Sequence, residues 1–202
     1  MTSTDDATRL GYHKPTVTQE KAVVIADALE PIIDEVLERC EAVANSGRPV
    51  AKKYDKLLSI AVVVMDKIIP HTPCEQQCSH CCHMAVTILD EEARRISQFL
   101  GRRYVKQGQC KDPLSIAEKG DDMVQKYLRV PCPFLKDGKC SIYEVRPFAC
   151  RLHHTVSPTN DCCDLKVLQV TPSVNLGFLE KTHAFILFNQ AFGDIRDYFP
   201  SP

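Results

Sequence analysis

Apolar residues at helical spacing dominate the first third of the chain. Between residues 19 and 44 they stand three or four positions apart with acidic residues between them, which predicts an amphipathic helix. Pro31 falls inside this stretch and should kink or divide the helix, because proline cannot donate to the carbonyl four residues earlier. A second helix is predicted over residues 51–69, where Pro70 then ends it.

Further helices are predicted after residue 86. One should be capped by Thr87 or Asp90 and carries Glu91 and Glu92 in its first turn. Another is predicted over residues 114–128. Apolar side chains near the end of the chain step by three and four residues, which predicts a strongly amphipathic last helix: Phe185, Phe188, Phe192, Ile195 and Phe199. The pattern as a whole predicts a mainly α-helical protein.

The same pattern suggests three parts. Residues 1–18 hold few large apolar side chains and should form a flexible N-terminal arm. Residues 19–70 form an N-terminal helical segment, and residues 71–202 form a cysteine-rich domain that includes the last helix. With 202 residues, of which 44% are hydrophobic, the chain is long enough to bury a sizeable core.

Charge and hydropathy argue against several classes of partner. The 25 basic and 26 acidic side chains nearly cancel, so no overall field favours nucleic acid or an anionic membrane. The longest apolar runs, residues 60–65 and 184–188, fall far short of the ~20 residues that span a bilayer. The first ten residues lack the basic start and apolar stretch of a secretory signal, so we expect a cytoplasmic protein.

Nine of the eleven cysteines fall into two blocks. The first block holds Cys74, Cys78, Cys81 and Cys82, and the second holds Cys132, Cys140, Cys150, Cys162 and Cys163. In a reducing compartment such clusters favour metal ligation over disulfides. Thiolates at these spacings typically hold zinc, iron or an iron–sulfur cluster. Outside the blocks, Cys40 is expected to be a small, partly buried hydrophobic residue and Cys110 a loop residue that is not a ligand.

A hairpin is predicted within the second block. Asp137-Gly138 is a strong turn signal, and a hairpin at this point would bring Cys132 and Cys140 close together. The expected site is therefore carried by loops and one short hairpin rather than by a larger sheet.

Cationic and imidazole side chains surround the blocks. Arg146 and Arg151 could offset the negative charge of several thiolates, although pairing with Glu144 or Asp164 is an equal alternative. Five histidines could complete a coordination sphere or leave an open catalytic position: His71, His80, His83, His153 and His154. For each histidine, a position outside the coordination sphere is the simpler alternative, because the thiols suffice without it.

The combined pattern resembles the YkgJ-type cysteine-cluster family, which is named for its CxxCxxCC motif and is proposed to chelate zinc or iron. The resemblance spans about residues 74–163 and rests on three motifs: Cys74-x3-Cys78-x2-Cys81-Cys82, the hairpin segment from Pro131 to Glu144, and Arg146-Pro147-Phe148-Ala149-Cys150-Arg151. It implies the ligands Cys74, Cys78, Cys81, Cys82, Cys132, Cys140 and Cys150, with one of Cys162 and Cys163 as the eighth. Some relatives are labelled flagellin lysine N-methylases.

Three functions remain open at this point. The first is a metal-binding protein that holds zinc, iron or an iron–sulfur cluster. The second is a metal- or cluster-dependent redox enzyme or transferase, for example one similar to flagellin lysine N-methylase, although the eight glycines form no loop for a methyl-donor cofactor. The third is a structural zinc module that presents helices to a protein partner.

Overall fold

The computed structural model describes residues 15–74, 78–109, 113–160, 163–164, 173–186 and 190–200. Within them the chain is mainly α-helical, as the hydrophobic pattern predicts, with two small antiparallel strand pairs. None of the helices in these ranges is both long enough and apolar enough to cross a membrane. The predicted arm covers residues 1–18, of which residues 1–14 lie outside the described ranges.

The N-terminal helices follow the prediction closely. Helix α1 spans Pro15–Leu29, a 3₁₀ turn spans Glu30–Ile32, and helix α2 spans Ile33–Asn45. The predicted break at Pro31 is therefore confirmed, because the proline lies in the 3₁₀ turn between the two helices. Helix α3, Val50–Ile68, agrees with the predicted second helix to within one residue at each end.

Shorter elements make up the cysteine-rich half. The helices are α4 (Asp90–Leu100), α5 (Pro113–Tyr127), α6 (Phe148–Leu152), α7 (Gly177–Ile186) and α8 (Ile195–Tyr198). Single 3₁₀ turns span Ile69–His71, His80–His83 and Tyr143–Val145. The strands are β1 (Thr87–Leu89), β2 (Leu135–Lys136), β3 (Lys139–Cys140) and β4 (Phe192–Asp194). Helix α5 confirms the helix predicted over residues 114–128.

The two strand pairs place the cysteine blocks. Strands β2 and β3 pair as a hairpin around Asp137 and Gly138, whose φ angles of 50° and 73° suit the left-handed turn of a tight hairpin. The predicted hairpin is confirmed. Strand β4 pairs antiparallel with β1, with Gly193 opposite Ile88. This second pairing brings the last described residues back to the chain that follows the first cysteine block.

The predicted continuous last helix is wrong. Helix α7 ends at Ile186, Phe188 lies outside the described residues, and Phe192 begins strand β4. Phe185 is 61% exposed, whereas Ile195 and Phe199 are buried in a different part of the core. The segment forms a strand and not a helix, because β1 provides hydrogen-bond partners for its backbone and its side chains are still buried in the core.

The predicted cap of helix α4 is also wrong. Thr87 lies in strand β1 and Asp90 is already the first helical residue. The carboxylate of Glu92 reaches back instead and accepts the backbone N–H of Leu89 across 3.0 Å. The N–H of Glu91, which a polar cap would otherwise accept, is bound at 3.2 Å by the side-chain oxygen of Gln190.

Two hydrophobic clusters meet at the second cysteine block. The first cluster packs helices α1, α2, α3, α6 and α7 together. It contains Cys40, which is 4% exposed and is thus a small hydrophobic residue that is more deeply buried than predicted. The second cluster packs β1, α4, the hairpin segment and α8, and Cys132, Cys140 and Cys150 lie against it. Helix α6 belongs to the first cluster but carries Cys150 to the second. Cys110 lies outside the described residues.

Candidate metal centre

The two cysteine blocks are in direct contact. The backbone N–H of Cys132 donates to the carbonyl oxygen of Cys82 across 2.7 Å, and the N–H of Arg129 donates to the carbonyl oxygen of His83 across 2.8 Å. These bonds join the turn of the first block to the chain that enters the second. Residues some fifty positions apart in sequence are thereby fixed side by side.

A buried arginine from the end of the chain holds this junction together. Arg196 pairs with the fully buried carboxylate of Asp194 at 2.9 and 3.1 Å. Its guanidinium also donates to backbone carbonyls of both blocks, those of Cys82, Met84, Val130 and Pro131. Asp194 in turn accepts the N–H of Val86 at 2.6 Å. Sequence reasoning missed both residues, because their partners lie far away in sequence and leave no local pattern.

A cavity of about 460 Å³ opens beside the junction. Its wall carries thiols from both blocks: Cys74, Cys78, Cys81, Cys150 and Cys163. His153, His154 and Arg146 also line it. Seven described cysteines are free thiols: Cys40, Cys78, Cys81, Cys82, Cys132, Cys140 and Cys150. The structure therefore gathers cysteines from both blocks around one space.

The remaining described thiols lie behind the cavity wall. Cys82, Cys132 and Cys140 do not line the cavity, and Cys132 and Cys140 pack against the second hydrophobic cluster. Of the predicted ligands, Cys162 lies outside the described residues, while Cys163 is 7% exposed. Eight of the nine predicted cysteines therefore line the cavity or interact with a cysteine that lines it.

Four of the block thiols have raised pKa values, which favours their protonated form when no cation is bound: Cys81, Cys132, Cys140 and Cys150. Burial raises the pKa of Cys132 to about 11 and raises that of Cys140. Burial and the neighbouring thiols raise the pKa of Cys150 well above its usual value. A hydrogen bond with Cys82, together with burial, raises that of Cys81. A bound divalent cation would reverse this balance, since metal ligation replaces the thiol proton.

The side chains around the cavity meet the requirements of zinc and iron only in part. Within the described ranges, no group of three or more His, Cys, Asp or Glu side chains stands close enough together to hold a metal ion. The donor chemistry nevertheless fits both metals, because soft thiols with nearby imidazoles are the ligands that zinc and iron centres use. Among the described residues, the fit therefore lies in the chemical type of the donors rather than in their spacing.

Backbone contacts support one of the cavity thiols. The N–H of Thr155 donates to the sulfur of Cys74 across 3.4 Å. Two residues before Cys74, the hydroxyl of Thr72 lies 3.1 Å from Nδ1 of His154. These two contacts fix the segment after helix α6 against the segment that leads into the first block.

The five predicted histidines occupy different environments. His153 and His154 line the cavity, whereas His71, His80 and His83 do not. His154 is 5% exposed and bonded to Thr72, and burial followed by the positive charges of Arg146 and His153 lowers its pKa to about 4. Nε2 of His153 is buried and has no hydrogen-bond partner among the described residues.

The two predicted arginines differ in position. Arg146 lines the cavity, lies 4.1 Å from the ring centre of Tyr143, and its charge acts to lower the pKa of Cys81 and Cys140. Arg151 points its guanidinium at the backbone carbonyls of Arg146 and Glu144. Of the two, Arg146 is placed to offset thiolate charge, while Arg151 braces the loop that carries it.

The buried carboxylate of Glu92 anchors the start of helix α6. Glu92 is 2% exposed and accepts hydrogen bonds from the hydroxyl of Tyr54 and the backbone N–H of Phe148, both at 2.8 Å. Phe148 is the first residue of α6, the helix that carries Cys150. Sequence reasoning placed Glu92 in the first turn of α4 but missed that it anchors the second block, because this contact spans 56 residues.

The comparisons with known proteins agree with this arrangement. Residues 73–172 match the family model CxxCxxCC, described as a "putative zinc- or iron-chelating domain". No curated protein and no solved structure matches the chain. The matched segment covers about half of the 202 residues and includes both cysteine blocks, whereas Arg196 and Asp194 lie beyond it. Residues 73–172 therefore form a domain of the CxxCxxCC family.

Proposed function

We propose that this protein binds zinc or iron through the thiols of its two cysteine blocks. The observation that carries the proposal is the cavity wall, where cysteines from both blocks converge. The family description supports the same chemistry. Four thiolates around zinc form a closed structural site, and thiolates around iron can also hold a cluster with inorganic sulfide.

The expected ligands come from the described thiols of both blocks. They are Cys74, Cys78, Cys81, Cys82, Cys132, Cys140, Cys150 and Cys163, with Cys162 as a further candidate. Arg146 would reduce the electrostatic repulsion among several thiolates, because its guanidinium lies in the same cavity wall. Arg196 and Asp194 would hold the two blocks at a fixed separation.

Protection of thiols from alkylation tests this proposal. Protein reduced and freed of metal is treated with iodoacetamide under anaerobic conditions, with and without added Zn²⁺ or Fe²⁺, and each modified cysteine is located by mass spectrometry. We expect the metal to protect the block cysteines, because a coordinated thiolate is a poorer nucleophile. Cys110, which belongs to neither block, serves as the internal control. Equal alkylation of the blocks with and without metal would overturn the proposal.

A second candidate function, a metal-dependent enzyme, is favoured by the size of the cavity. About 460 Å³ beside the thiols is enough for a small molecule, and the wall includes His153 and Arg146. An enzyme of this kind would keep one coordination position open. Addition of azide or cyanide to Co²⁺-loaded protein tests this directly: a changed visible spectrum supports an open position, and an unchanged spectrum supports a closed structural site.

A further inference from the structure

A second cavity of about 440 Å³ shares Arg146 with the cysteine cavity. Three arginines stand in its wall, Arg95, Arg146 and Arg151, so we call it the arginine cavity. Its volume is enough for a small molecule. None of the described cysteines lines it.

Two of these three arginines have no carboxylate partner. Arg95 is paired with Glu91 at 2.8 Å and with Asp55 at 2.9 Å. Within the described residues, neither Arg146 nor Arg151 forms an ion pair with a carboxylate. Arg151 donates to two backbone carbonyls, which carry no net charge. The arginine cavity therefore holds two positive charges without a counter-ion.

This arrangement is unfavourable in the absence of an anion. Nε of Arg146 is buried and has no hydrogen-bond partner among the described residues, although buried donors are almost always bonded. Burial, followed by the positive charge of Arg146, lowers the pKa of Arg151. The two guanidinium groups are thus close enough to repel each other. An anion bound to both would remove the repulsion and could accept the unused N–H of Arg146.

The rest of the wall indicates what else such an anion should carry. Part of the wall is apolar and includes Leu58, Phe99 and Val145, of which Phe99 is 47% exposed. Of the two carboxylates in the wall, Glu92 already accepts three hydrogen bonds. The other, Glu144, is exposed, so water screens its charge. The wall therefore suits a negatively charged group on a small apolar body.

We propose that the arginine cavity binds a small organic anion, with its phosphate or carboxylate group held by Arg146 and Arg151 and its apolar body against Phe99. Guanidinium groups bind both kinds of anion through paired N–H donors. The inference goes beyond the proposed function, because it requires neither a cysteine nor a metal.

Calorimetric titration of the full chain tests the inference. Phenyl phosphate and benzoate are added separately in a buffer free of phosphate, and inorganic phosphate is the probe without an apolar body. We expect saturable binding of at least one aromatic probe, and binding of inorganic phosphate that is weaker by at least about tenfold. The tighter of the two aromatic probes identifies the acidic group.

Three variants assign the contacts. Arg146→Gln should weaken binding of the aromatic probe by at least about tenfold, because a charge-assisted hydrogen bond is lost. Phe99→Ala should weaken binding of the aromatic probe and leave that of inorganic phosphate unchanged, which a general disturbance of the fold would not do. Arg103→Gln is the control, because Arg103 is exposed and lies outside the cavity wall, and it should bind like the wild type.

The contrary results are equally clear. Absence of binding by both aromatic probes, or equal affinity of Arg146→Gln and the wild type, would overturn the inference. Inorganic phosphate that binds as tightly as phenyl phosphate would overturn the contact with an apolar body. If Arg146→Gln fails to fold, as judged by circular dichroism, Phe99→Ala decides: unchanged affinity for the aromatic probe overturns the inference. Metal protection of the cysteines is measured separately and stands or falls independently of these results.

Discussion

The backbone N–H of Cys132 donates a 2.7 Å hydrogen bond to the carbonyl oxygen of Cys82, and this bond joins the two cysteine blocks directly. Arg196 covers the same junction and donates to carbonyls on both sides of it. Because Arg196 follows the family-matched segment, the last part of the chain is an integral support of the site. The candidate metal centre is therefore held together by residues that are not among the proposed ligands.

Replacement of Arg196 should destabilise the whole domain. Arg196→Ala leaves the carboxylate of Asp194 buried without its cation, which typically costs about 3–5 kcal/mol. We expect a loss of this size in the free energy of unfolding, measured by urea denaturation of the metal-free protein. The control Arg103→Ala changes an exposed arginine and should shift stability by less than about 0.5 kcal/mol. Equal stability of the two variants would show that the buried pair does not support the fold.

Removal of the buried Glu92 carboxylate should also be costly. Glu92→Ala leaves the N–H groups of Leu89 and Phe148 and the hydroxyl of Tyr54 without their acceptor, for an expected loss of about 3 kcal/mol. The exposed Glu41 provides a matched control, since Glu41→Ala removes the same group from a helix surface. Because Glu92 anchors helix α6, metal affinity should fall with stability in Glu92→Ala. Unchanged thermal unfolding of this variant would contradict the supporting role of Glu92.

The hairpin turn gives a smaller prediction. Gly138 has a φ angle of 73°, a region that costs an L-residue with a side chain about 1 kcal/mol or more. Gly138→Ala should therefore destabilise the protein by about 1 kcal/mol, although space for the added methyl group is open. Gly47→Ala is the control, because Gly47 has equal space and no such φ angle. Equal effects of the two substitutions on the midpoint of urea unfolding would argue against the assigned turn.

The Asp197 carboxylate should make stability depend on pH in acid. Burial would raise the pKa of Asp197, but hydrogen bonds from Tyr127 and Lys126 outweigh it and hold this pKa below its usual 3.8. A carboxyl group with a lowered folded-state pKa contributes stability above its unfolded pKa and loses it as pH falls through the folded value. The stability difference between wild type and Asp197→Asn should therefore shrink below about pH 4.

Urea denaturation at about pH 6 and pH 3 measures this difference. The exposed Asp121 serves as the comparison, and Asp121→Asn should show little change in its effect between the two pH values. A stability difference for Asp197→Asn that grows as the pH falls would reverse the assigned sign and reject the interpretation.

Local signals in the sequence identify much of the fold. Pro31 marks the break between α1 and α2 because its effect on the helix is confined to one turn. Asp137 and Gly138 mark the hairpin because the required φ angles depend on the two turn residues themselves. The spacing of the cysteines likewise identifies the family, whose model covers residues 73–172.

Features that depend on distant partners could not be predicted in this way. The phenylalanine stripe near the end of the chain has helical spacing, yet Phe192 lies in a strand because β1 offers backbone partners more than 100 residues away. The supporting contacts of Arg196 reach carbonyls between 65 and 114 residues away in the sequence. No periodicity or short motif records such pairings, so buried charges of this kind emerge only from the folded structure.

Metal analysis of protein purified without oxygen is the most direct test of whether the two cysteine blocks bind zinc or iron. The zinc, iron and inorganic sulfide contents are measured after gel filtration for the wild type, for Cys150→Ala and for the control Cys40→Ala, whose thiol is buried in the first hydrophobic cluster. We expect at least stoichiometric zinc or iron in the wild type and in Cys40→Ala, and a loss of metal in Cys150→Ala. Folded wild-type protein that carries neither metal and cannot be loaded with either would contradict it.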